Sequence, residues 1–339
     1  MTETYGETIG WGILGTGRIA RSFATNLQET PGARLAAVGS RTPGSAQAFA
    51  TAYGGSDCAA HASYEALVAD PAVDIVYVAT PHTLHLENTR LAFDAGKHVL
   101  CEKPLAVNAA EAEEMARLAR EHDRFLMEGM WMACHPVIRA VVEAGRFGRP
   151  RQVHADLGFV VETSPHDRLL DPGLGAGALL DMGIYPLTFA HLVLGEAVEL
   201  WAVADVSETG IDIDVAIAGR YADGATAALT ASMTSVSPRA ATVATDRGLL
   251  TLPSPFHHPW VAIWTPSVGA PEQVTGVEPL IGTGLGNEAA EVMRCLREGL
   301  RESPLVPLAQ SVTVMRQMDE IRAQIGVRYD ADPPVPTTD

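Results

Sequence analysis

Lys103 is placed where a charged side chain could take part in chemistry. It lies between Glu102 and Pro104, just beyond the predicted strand His98–Cys101. Proline fixes its own φ and restricts the residue before it to an extended backbone, so the lysine is held at the end of that strand. An ammonium group there could stabilise a developing alkoxide or lower the pKa of a neighbouring hydroxyl. The alternative is a surface lysine paired with Glu102.

Asp181 and Tyr185 form a second candidate group. They stand at the start of the apolar segment Leu179–Leu194, after the run G-L-G-A-G-A. Residues four apart share a helix face, so both side chains can point into one site. A tyrosine phenol can transfer a proton if a nearby cation lowers its pKa from about 10. An aspartate at a helix start is also a common N-cap, and a tyrosine in an apolar helix is commonly part of the core.

The stretch Ile9–Ala20 predicts a phosphate-binding turn. An apolar run ends at Leu14, a glycine turn follows, and helical spacing begins at Arg18. Gly15 permits the sharp exit from the strand, and Gly17 lets the backbone approach a pyrophosphate. The unpaired N–H groups and the positive dipole end of the helix would face the phosphates. The predicted dinucleotide contacts here are Gly15, Thr16, Gly17, Arg18 and Ile19.

Strand and helix patterns alternate through the first third of the chain. The predicted strands are Ile9–Leu14, Ala33–Val38, Asp74–Thr80, His98–Cys101 and Phe125–Glu128. Helices between them require crossover connections and a parallel sheet covered on both faces. Such sheets bind ligands beyond the carboxyl ends of their strands. This rule selects four segments, Gly15 to Arg18, Ser40-Arg41, Thr80-Pro81-His82 and Glu102-Lys103-Pro104.

The end of the second predicted strand bears on the choice of cofactor. NAD enzymes usually place an aspartate or glutamate there, which accepts a hydrogen bond from the ribose 2′-hydroxyl. This chain has Gly39-Ser40-Arg41 and no acid. A carboxylate would repel a 2′-phosphate, whereas Arg41 offers a bidentate guanidinium and Ser40 a hydroxyl. The segment therefore predicts NADP over NAD. The alternative is that Arg41 is a solvated loop residue.

A different pattern begins near Phe147. Several segments alternate apolar and polar residues, which is typical of an antiparallel sheet with one covered face. The predicted strands are Val153–Val160, Glu199–Val206, Val215–Tyr221, Ala225–Thr234, Ala240–Thr245 and Leu249–Leu252, with a hairpin turn at Asp223-Gly224 and closing helices over Asn287–Glu298 and Leu308–Ile325. We therefore predict an α/β fold with an N-terminal Rossmann domain and a C-terminal α+β domain. The apolar face of the second, open sheet predicts a homodimer or larger homo-oligomer.

Composition and charge narrow the functional classes. The chain has 24 basic and 41 acidic residues, and its net charge of −17 repels nucleic acid and anionic membranes. Its longest apolar region, 178–204, is broken by charged and polar residues, so we predict no membrane span. The acidic N-terminus is unlike a signal peptide, and four scattered cysteines suit free thiols in a reducing compartment. We therefore predict a soluble cytoplasmic protein that acts on a small molecule.

Histidine pairs suggest a metal only weakly. His82 and His85 are three residues apart, and His257 and His258 are adjacent. No cysteine or carboxylate completes a zinc spacing pattern. Because hydride transfer to a nicotinamide requires no metal, we predict none.

Four segments together resemble the Gfo/Idh/MocA oxidoreductase family. They are G-I-L-G-T-G-R-I-A, V-Y-V-A-T-P-H-T-L-H, V-L-C-E-K-P-L-A-V-N and G-A-L-L-D-M-G-I-Y. The segment Phe125–Trp131 and the C-terminal residues are most similar to the dimeric dihydrodiol dehydrogenases and NADP-dependent D-xylose dehydrogenases. The resemblance covers nearly the whole chain. It implies a dinucleotide-binding Rossmann domain over 1–128 and a substrate-binding and oligomerisation domain over 129–339, whose open sheet faces a partner subunit.

The resemblance also implies roles for individual residues. Lys103 and Tyr185 would be the catalytic pair, Asp181 would lie near the substrate, and Trp131 would line its pocket. The residues that flank the cofactor would be Thr80, Pro81, His82, His85, Glu102 and Lys103. One departure concerns the substrate. Relatives usually carry an arginine soon after that tryptophan and an aromatic residue before the proline, whereas this chain has Met132-Ala133-Cys134-His135-Pro136. A ligand anchored by that arginine would lose its partner here.

Functions from different classes fit these features. The first is an NADP-dependent dehydrogenase or reductase that acts on a sugar, polyol or cyclic diol. The second is a nucleotide-binding regulator or scaffold that keeps the fold without turnover, since fold does not fix function. A third is a redox-neutral enzyme, such as an NAD-dependent glycosidase, that returns the hydride to its own substrate. The presence of both Lys103 and Tyr185 favours the first.

Overall fold

The computed structural model describes residues 8–143, 145–162 and 168–334, which form two compact units. The first unit contains the described residues up to Leu105, together with Ala112–Pro136 and Glu278–Ser311. The second unit contains Ala106–Glu111, Val137–Val277 and the described residues from Val312 onward. The assignment of cofactor and substrate functions to 1–128 and 129–339 stays a prediction.

The first unit is built on a parallel sheet of six strands in the order β3-β2-β1-β4-β5-β6. These strands are β1 Ile9–Leu14, β2 Ala33–Gly39, β3 Ala59–His61, β4 Ile75–Val78, β5 His98–Glu102 and β6 Leu126–Gly129. Every residue of β1, β4, β5 and β6 is buried, as expected for parallel strands covered on both faces. The sequence analysis missed β3, a three-residue edge strand without a β-branched residue.

Ten α-helices lie in the part of the chain that the structure describes. They are α1 Arg18–Gln28, α2 Pro43–Tyr53, α3 Tyr64–Val68, α4 His85–Asp94, α5 Ala109–Glu121, α6 Trp131–Cys134, α7 Pro136–Val142, α8 Ile184–Leu194, α9 Leu285–Arg297 and α10 Leu308–Ile325. The predicted helix over 179–194 is divided: a π-helical turn, Leu179–Gly183, precedes α8. π-Helical turns are rare in proteins, and those that occur often lie at functional sites. The turn Leu179–Gly183 is therefore a candidate part of the site.

The second unit contains a sheet of eight strands in the order β14-β13-β12-β11-β7-β10-β9-β8. These strands are β7 Pro150–Gly158, β8 Ala197–Val206, β9 Asp212–Tyr221, β10 Thr226–Ser232, β11 Ala241–Thr245, β12 Gly248–Leu252, β13 Ala262–Pro266 and β14 Glu272–Val274. All neighbouring pairs are antiparallel except β7 and β10. The predicted hairpin turn is confirmed, since both Asp223 and Gly224 have positive φ between β9 and β10. The sequence analysis missed β13 and β14.

One face of this eight-stranded sheet is covered and the other is open. The π-helical turn and α8 pack on the covered face, against β7 and β10. On the open face, one row of facing residues crosses from edge to edge: Trp201, Ala218, Ala228, His154, Thr242, Thr251, Ile263 and Gln273. Trp201 keeps 51% of its surface exposed and Val203 keeps 71%. The alternation of apolar and polar residues along these strands thus corresponds to one buried and one solvent-facing side of the sheet, as predicted.

One helical stretch passes a test for membrane-spanning length and composition. It covers Pro172–Leu194, with a mean hydropathy of 1.4 over its most apolar window, and 78% of that window is buried inside the protein. Burial of this extent is typical of a core helix, which already has protein packed against its apolar surface. The stretch is the segment that covers the second unit's sheet.

Candidate active site

The glycine turn after β1 combines a close backbone approach at Gly15 with open space at Gly17. Gly15 has φ +100°, and a Cβ there would lie 2.7 Å from the carbonyl oxygen of Ala79. Gly17 caps α1, and a Cβ on it would meet nothing within 4 Å. The backbone at Gly17 therefore leaves open space beside the first turn of α1, whose N–H groups have no partner within the helix. Thr16 and Ile19 are half-buried beside this turn and Arg18 is exposed.

Arg41 lies at the carboxyl end of the β2 strand and contacts a tyrosine that the sequence analysis missed. Its guanidinium lies near the phenol oxygen of Tyr64. Burial raises the pKa of Tyr64, and the charge of Arg41 opposes that rise. Ser40 is buried, and its hydroxyl oxygen accepts the Thr42 N–H at 3.2 Å. Tyr64 follows a helix-capping serine, Ser63, a pattern that predicts a helix start but not a contact with Arg41.

A cavity of about 560 Å³ adjoins Arg41. Its lining residues are Arg41, Ala62, Ser63, Tyr64, Glu65, Leu84, Glu87, Asn88, Arg90, Leu91 and Asp94. These residues follow β2, β3 and β4, strands of the parallel sheet in which β1 lies between β2 and β4. The cavity therefore lies at the carboxyl edge of the sheet, where dinucleotides bind in folds of this kind.

His85 joins two of the predicted cofactor segments. It is fully buried, its Nε2 lies 3.0 Å from the Thr80 carbonyl oxygen, and its Nδ1 lies 3.0 Å from that of Pro104. Carbonyl oxygens only accept, so a ring protonated on both nitrogens is needed to donate to both at once. His82 is also buried and packs edge-on against His85, with ring centroids 5.6 Å apart. His85 thus acts on the backbone beside Thr80 and Pro104.

Two buried glutamates fix the backbone around Lys103. Glu102 accepts hydrogen bonds from the Tyr77 hydroxyl and, at 3.2 Å, from the Lys103 N–H. Glu128 accepts from the Leu105 N–H at 3.0 Å and from the hydroxyl of a serine on α10. Burial raises the pKa of Glu128, and the Lys103 ammonium opposes that rise. Glu102 is only 5% exposed, so it is not the surface residue of the alternative interpretation.

A third buried glutamate lies near these two. Glu288, in the first turn of α9, is fully buried, and neither of its carboxylate oxygens has a hydrogen-bond partner in the described part of the chain. Burial raises the pKa of Glu288 well above its usual value, and the charges of Glu102 and Glu128 raise it further. Both effects favour the protonated form of this carboxyl group. Sequence reasoning missed Glu288, because a single glutamate in an amphipathic helix is ordinarily solvated.

Trp131 and His135 pack against the start of α9. A Cβ on Gly284 would lie 3.3 Å from the indole of Trp131 and 2.8 Å from the imidazole of His135. Gly284 has φ +111°, a conformation that favours glycine. Both aromatic rings are buried. His135, part of the segment that departs from the relatives, is therefore a packed residue of the first unit.

In the second unit, Asp181 and Tyr185 belong to the π-helical turn and to the first turn of α8. Asp181 is buried and pairs with the exposed Arg168, whose guanidinium lies 3.0 Å from its Oδ1. The N-cap position is Ala178, so the alternative of Asp181 as an N-cap is wrong. Tyr185 is 7% exposed, and its ring packs 4.7 Å from that of His257.

His257 and His258 form an aromatic cluster with Tyr185. The two imidazole centroids are 4.5 Å apart and nearly perpendicular. Burial lowers the pKa of His258 from its usual 6.5. Within the described residues, no three His, Cys, Asp or Glu side chains are grouped so that they could hold a metal ion. Sequence reasoning considered this pair only as metal ligands and missed its contact with Tyr185.

Fold and site together define a class of protein. A parallel sheet with a glycine turn before its first helix, joined to a unit with a large open sheet, is the architecture of two-domain dinucleotide-dependent oxidoreductases. Comparison with family models leads to the same class of protein. Residues 9–130 match the oxidoreductase family with an NAD-binding Rossmann fold, and residues 136–251 match the GFO/IDH/MocA C-terminal domain. The chain belongs to the Gfo/Idh/MocA oxidoreductase family.

Individual relatives extend over nearly the whole chain. It is 35% identical to the trans-1,2-dihydrobenzene-1,2-diol dehydrogenase of Mus musculus, a match that covers 95% of this chain and 98% of the relative. Among solved structures, the aldose-aldose oxidoreductase of Caulobacter crescentus, complexed with glycerol, is 26% identical with a TM-score of 0.83 and coverage of 94% and 97%. The 3-ketoreductase KijD10 of Actinomadura kijaniata, in complex with NADP and TDP-benzene, is 27% identical with a TM-score of 0.82 and coverage of 94% and 98%. The predicted family and fold class are confirmed.

Proposed function

We propose that this protein is an NADP-dependent dehydrogenase that interconverts an alcohol and a carbonyl group on a sugar, polyol or cyclic diol. The observation that carries the proposal is the fixed backbone of Lys103. Two buried carboxylates hold this segment at the carboxyl edge of the parallel sheet, where a nicotinamide dinucleotide binds. The substrate class follows the relatives, which are named as a diol dehydrogenase, an aldose-aldose oxidoreductase and a 3-ketoreductase.

The residues at the glycine turn and at Arg41 fit NADP. The open space at Gly17 admits a pyrophosphate, and the cavity beside Arg41 and Tyr64 admits an adenosine with a 2′-phosphate. The absence of a carboxylate directly after β2 favours the phosphorylated cofactor. When bound, the nicotinamide supplies the site that accepts or donates the hydride. Thr80, Pro81 and His82 would line the cofactor, while His85 and Glu102 would position the backbone beside it.

In the oxidative direction, the substrate hydroxyl must lose a proton. We assign the acceptance of that proton to Tyr185, with the Lys103 ammonium favouring the phenolate and the developing alkoxide. Asp181, held by Arg168, would accept hydrogen bonds from substrate hydroxyls. Trp131 would form an apolar wall. A metal-free reaction and residence in the cytoplasm are further parts of this proposal.

The proposal is tested by a substrate panel. Purified protein is mixed with NADP or NAD and with trans-1,2-dihydrobenzene-1,2-diol, D-xylose or other aldoses, and nicotinamide absorbance is followed. We expect NADPH to accumulate far beyond the enzyme concentration, which a redox-neutral enzyme could not produce. Tight NADP binding without turnover of any substrate would contradict the proposal and favour a regulator or scaffold.

The same assay tests the catalytic residues. Tyr185→Phe and Lys103→Met should each lower kcat by about 10²–10⁴-fold, and the double variant should lose little more, because the two residues act as one unit. Tyr221→Phe is the matched control, because Tyr221 is a buried tyrosine of β9 in the same unit. Near-normal turnover of Tyr185→Phe beside an inactive Lys103→Met would assign the proton transfer to the lysine.

A further inference from the structure

Asp212 is a buried carboxylate that lies outside the residues assigned above. It is the first residue of β9 and has no exposed surface. Its Oδ2 accepts the N–H of Leu179 at 2.6 Å. Leu179 begins the π-helical turn, and an N–H at a helix start has no partner within the helix. A residue distant in sequence thus supplies the acceptor at the start of the helical segment that carries Asp181 and Tyr185.

The chain passes very close to Asp212 just before that turn. A Cβ on Gly177 would lie 2.5 Å from Oδ1 of Asp212 and 3.0 Å from the Tyr329 hydroxyl. The Tyr329 hydroxyl donates a hydrogen bond to the Ala176 carbonyl oxygen at 2.7 Å. The segment 176–179 is therefore held by a hydrogen bond at each end, and Gly177 has no room for a side chain. A shift of Asp212 would move the start of the helical segment.

Several charged groups face Asp212 from the elements around it. Burial, together with the negative charge of Asp181, raises the pKa of Asp212 from 3.8 to about 6, while the Leu179 N–H and the charge of Arg322 on α10 oppose the rise. Arg322 is itself bound by Asp319 and Asp332. The charge on Asp212 therefore changes at a mildly acidic pH.

We infer that Asp212 is a positioning residue for Asp181 and Tyr185, and that it holds the start of their helical segment in its ionised form. This inference rests on the catalytic roles proposed above. A hydrogen bond to a carboxylate is about twice as strong as one to a neutral acceptor, so protonation of Asp212 weakens the bond to Leu179. Turnover should then fall at acidic pH although Asp212 touches no reacting atom.

The test is the pH profile of Asp212→Asn, which keeps the side chain's shape and an acceptor oxygen but does not titrate. With trans-1,2-dihydrobenzene-1,2-diol and NADP, wild-type kcat should fall by about tenfold as the pH is lowered through 6 and then level off. The variant should have a kcat about tenfold lower than wild type at pH 8 and no decline near pH 6. Asp171→Asn is the matched control, because Asp171 also accepts a backbone N–H but is exposed. An unchanged profile in Asp212→Asn would overturn the inference.

Hydrogen exchange gives a second measurement that needs no turnover. After correction for the intrinsic rate, the Leu179 N–H of the wild type should be better protected at pH 8 than at pH 5, and Asp212→Asn should remove this difference. If no substrate is turned over, the proposed function fails while exchange still decides the role of Asp212. Wild-type protection in the variant would overturn that role.

A second variant covers the case in which Asp212→Asn does not fold. Gly177→Ala keeps Asp212 but places a methyl group against its Oδ1. We expect lower kcat and faster exchange confined to residues 176–182. Wild-type kcat and exchange in Gly177→Ala would overturn the inference.

Discussion

At the scale of single residues, the site is organised by side chains that hold the backbone as much as by those that face a ligand. His85, Glu102 and Glu128 each bond to backbone groups beside Thr80 or Lys103. Such groups keep a catalytic side chain in place without touching the reacting atoms. We therefore expect substitutions at these buried positions to lower both stability and turnover, whereas substitutions at exposed Arg41 should affect binding alone.

Arg41 provides the sharpest prediction at this scale. Arg41→Ala should weaken NADP binding by about ten- to a hundredfold, the equivalent of a charge-assisted contact of about 1.5–3 kcal/mol, and leave NAD binding nearly unchanged. Titration calorimetry with each cofactor measures both affinities. Arg34→Ala is the control, because Arg34 is an exposed arginine of β2 that donates a hydrogen bond to the Ala72 carbonyl oxygen. Equal losses for NADP and NAD would show that Arg41 does not bind the 2′-phosphate.

At the scale of elements, the contact of Asp212 with the start of the helical segment 179–194 should make the free energy of unfolding depend on pH. Asp212 has a pKa of about 6 in the folded protein against 3.8 as the ordinary value. A raised acid pKa means that the folded state binds the proton more tightly. The stabilisation is therefore fully present below pH 3.8 and is lost as the pH rises through 6.

The predicted size of this effect follows from the pKa difference. A pKa difference of about two units, at about 1.4 kcal/mol each, corresponds to about 3 kcal/mol in the free energy of unfolding. About half of this stabilisation should be lost between pH 5 and pH 8. Urea unfolding of wild type and Asp212→Asn at several pH values measures it. The free energy of unfolding of the wild type should fall relative to the variant as the pH rises. A pH-independent difference would mean that Asp212 titrates with an ordinary pKa.

At the scale of the whole molecule, the open face of the eight-stranded sheet is the surface that we propose for self-association. Small residues, Ala218 and Ala228, lie on β9 and β10, and the exposed Trp201 and Val203 lie on the neighbouring edge strand β8. Small and apolar side chains on these three strands suit the core of a two-fold interface, in which the same patch pairs with itself.

A charge placed in this face should prevent assembly. We expect the wild type to sediment as a dimer or larger species at micromolar concentration and Ala228→Arg to sediment at the chain mass of 35.9 kDa. The cause is the burial of an unpaired guanidinium against its own symmetry copy. Ala222→Arg adds the same charge in the exposed turn before β10 and should leave the assembly intact. A wild type that sediments only as a monomer would contradict the proposal.

The sequence alone determined the parallel sheet, the glycine turn, the alternating strands and the family. These features depend on local patterns: apolar runs, a period of two, and glycines where a positive φ or close approach is required. Short edge strands such as β3 and β14 were missed because three residues carry too little pattern. The π-helical turn was missed because its hydrogen bonding depends on what packs around Asp181.

Only the tertiary structure showed which distant residues support the predicted ones. These contacts join residues that lie far apart in the sequence or that local patterns assign to other roles. They are Tyr64 with Arg41, Glu128 with the backbone beside Lys103, His257 with Tyr185, and Asp212 with Leu179. Composition and spacing describe each residue with its neighbours along the chain. Burial raises the pKa of both Glu288 and Asp212. Each carboxyl group is buried by residues that are distant in sequence and that only folding brings together.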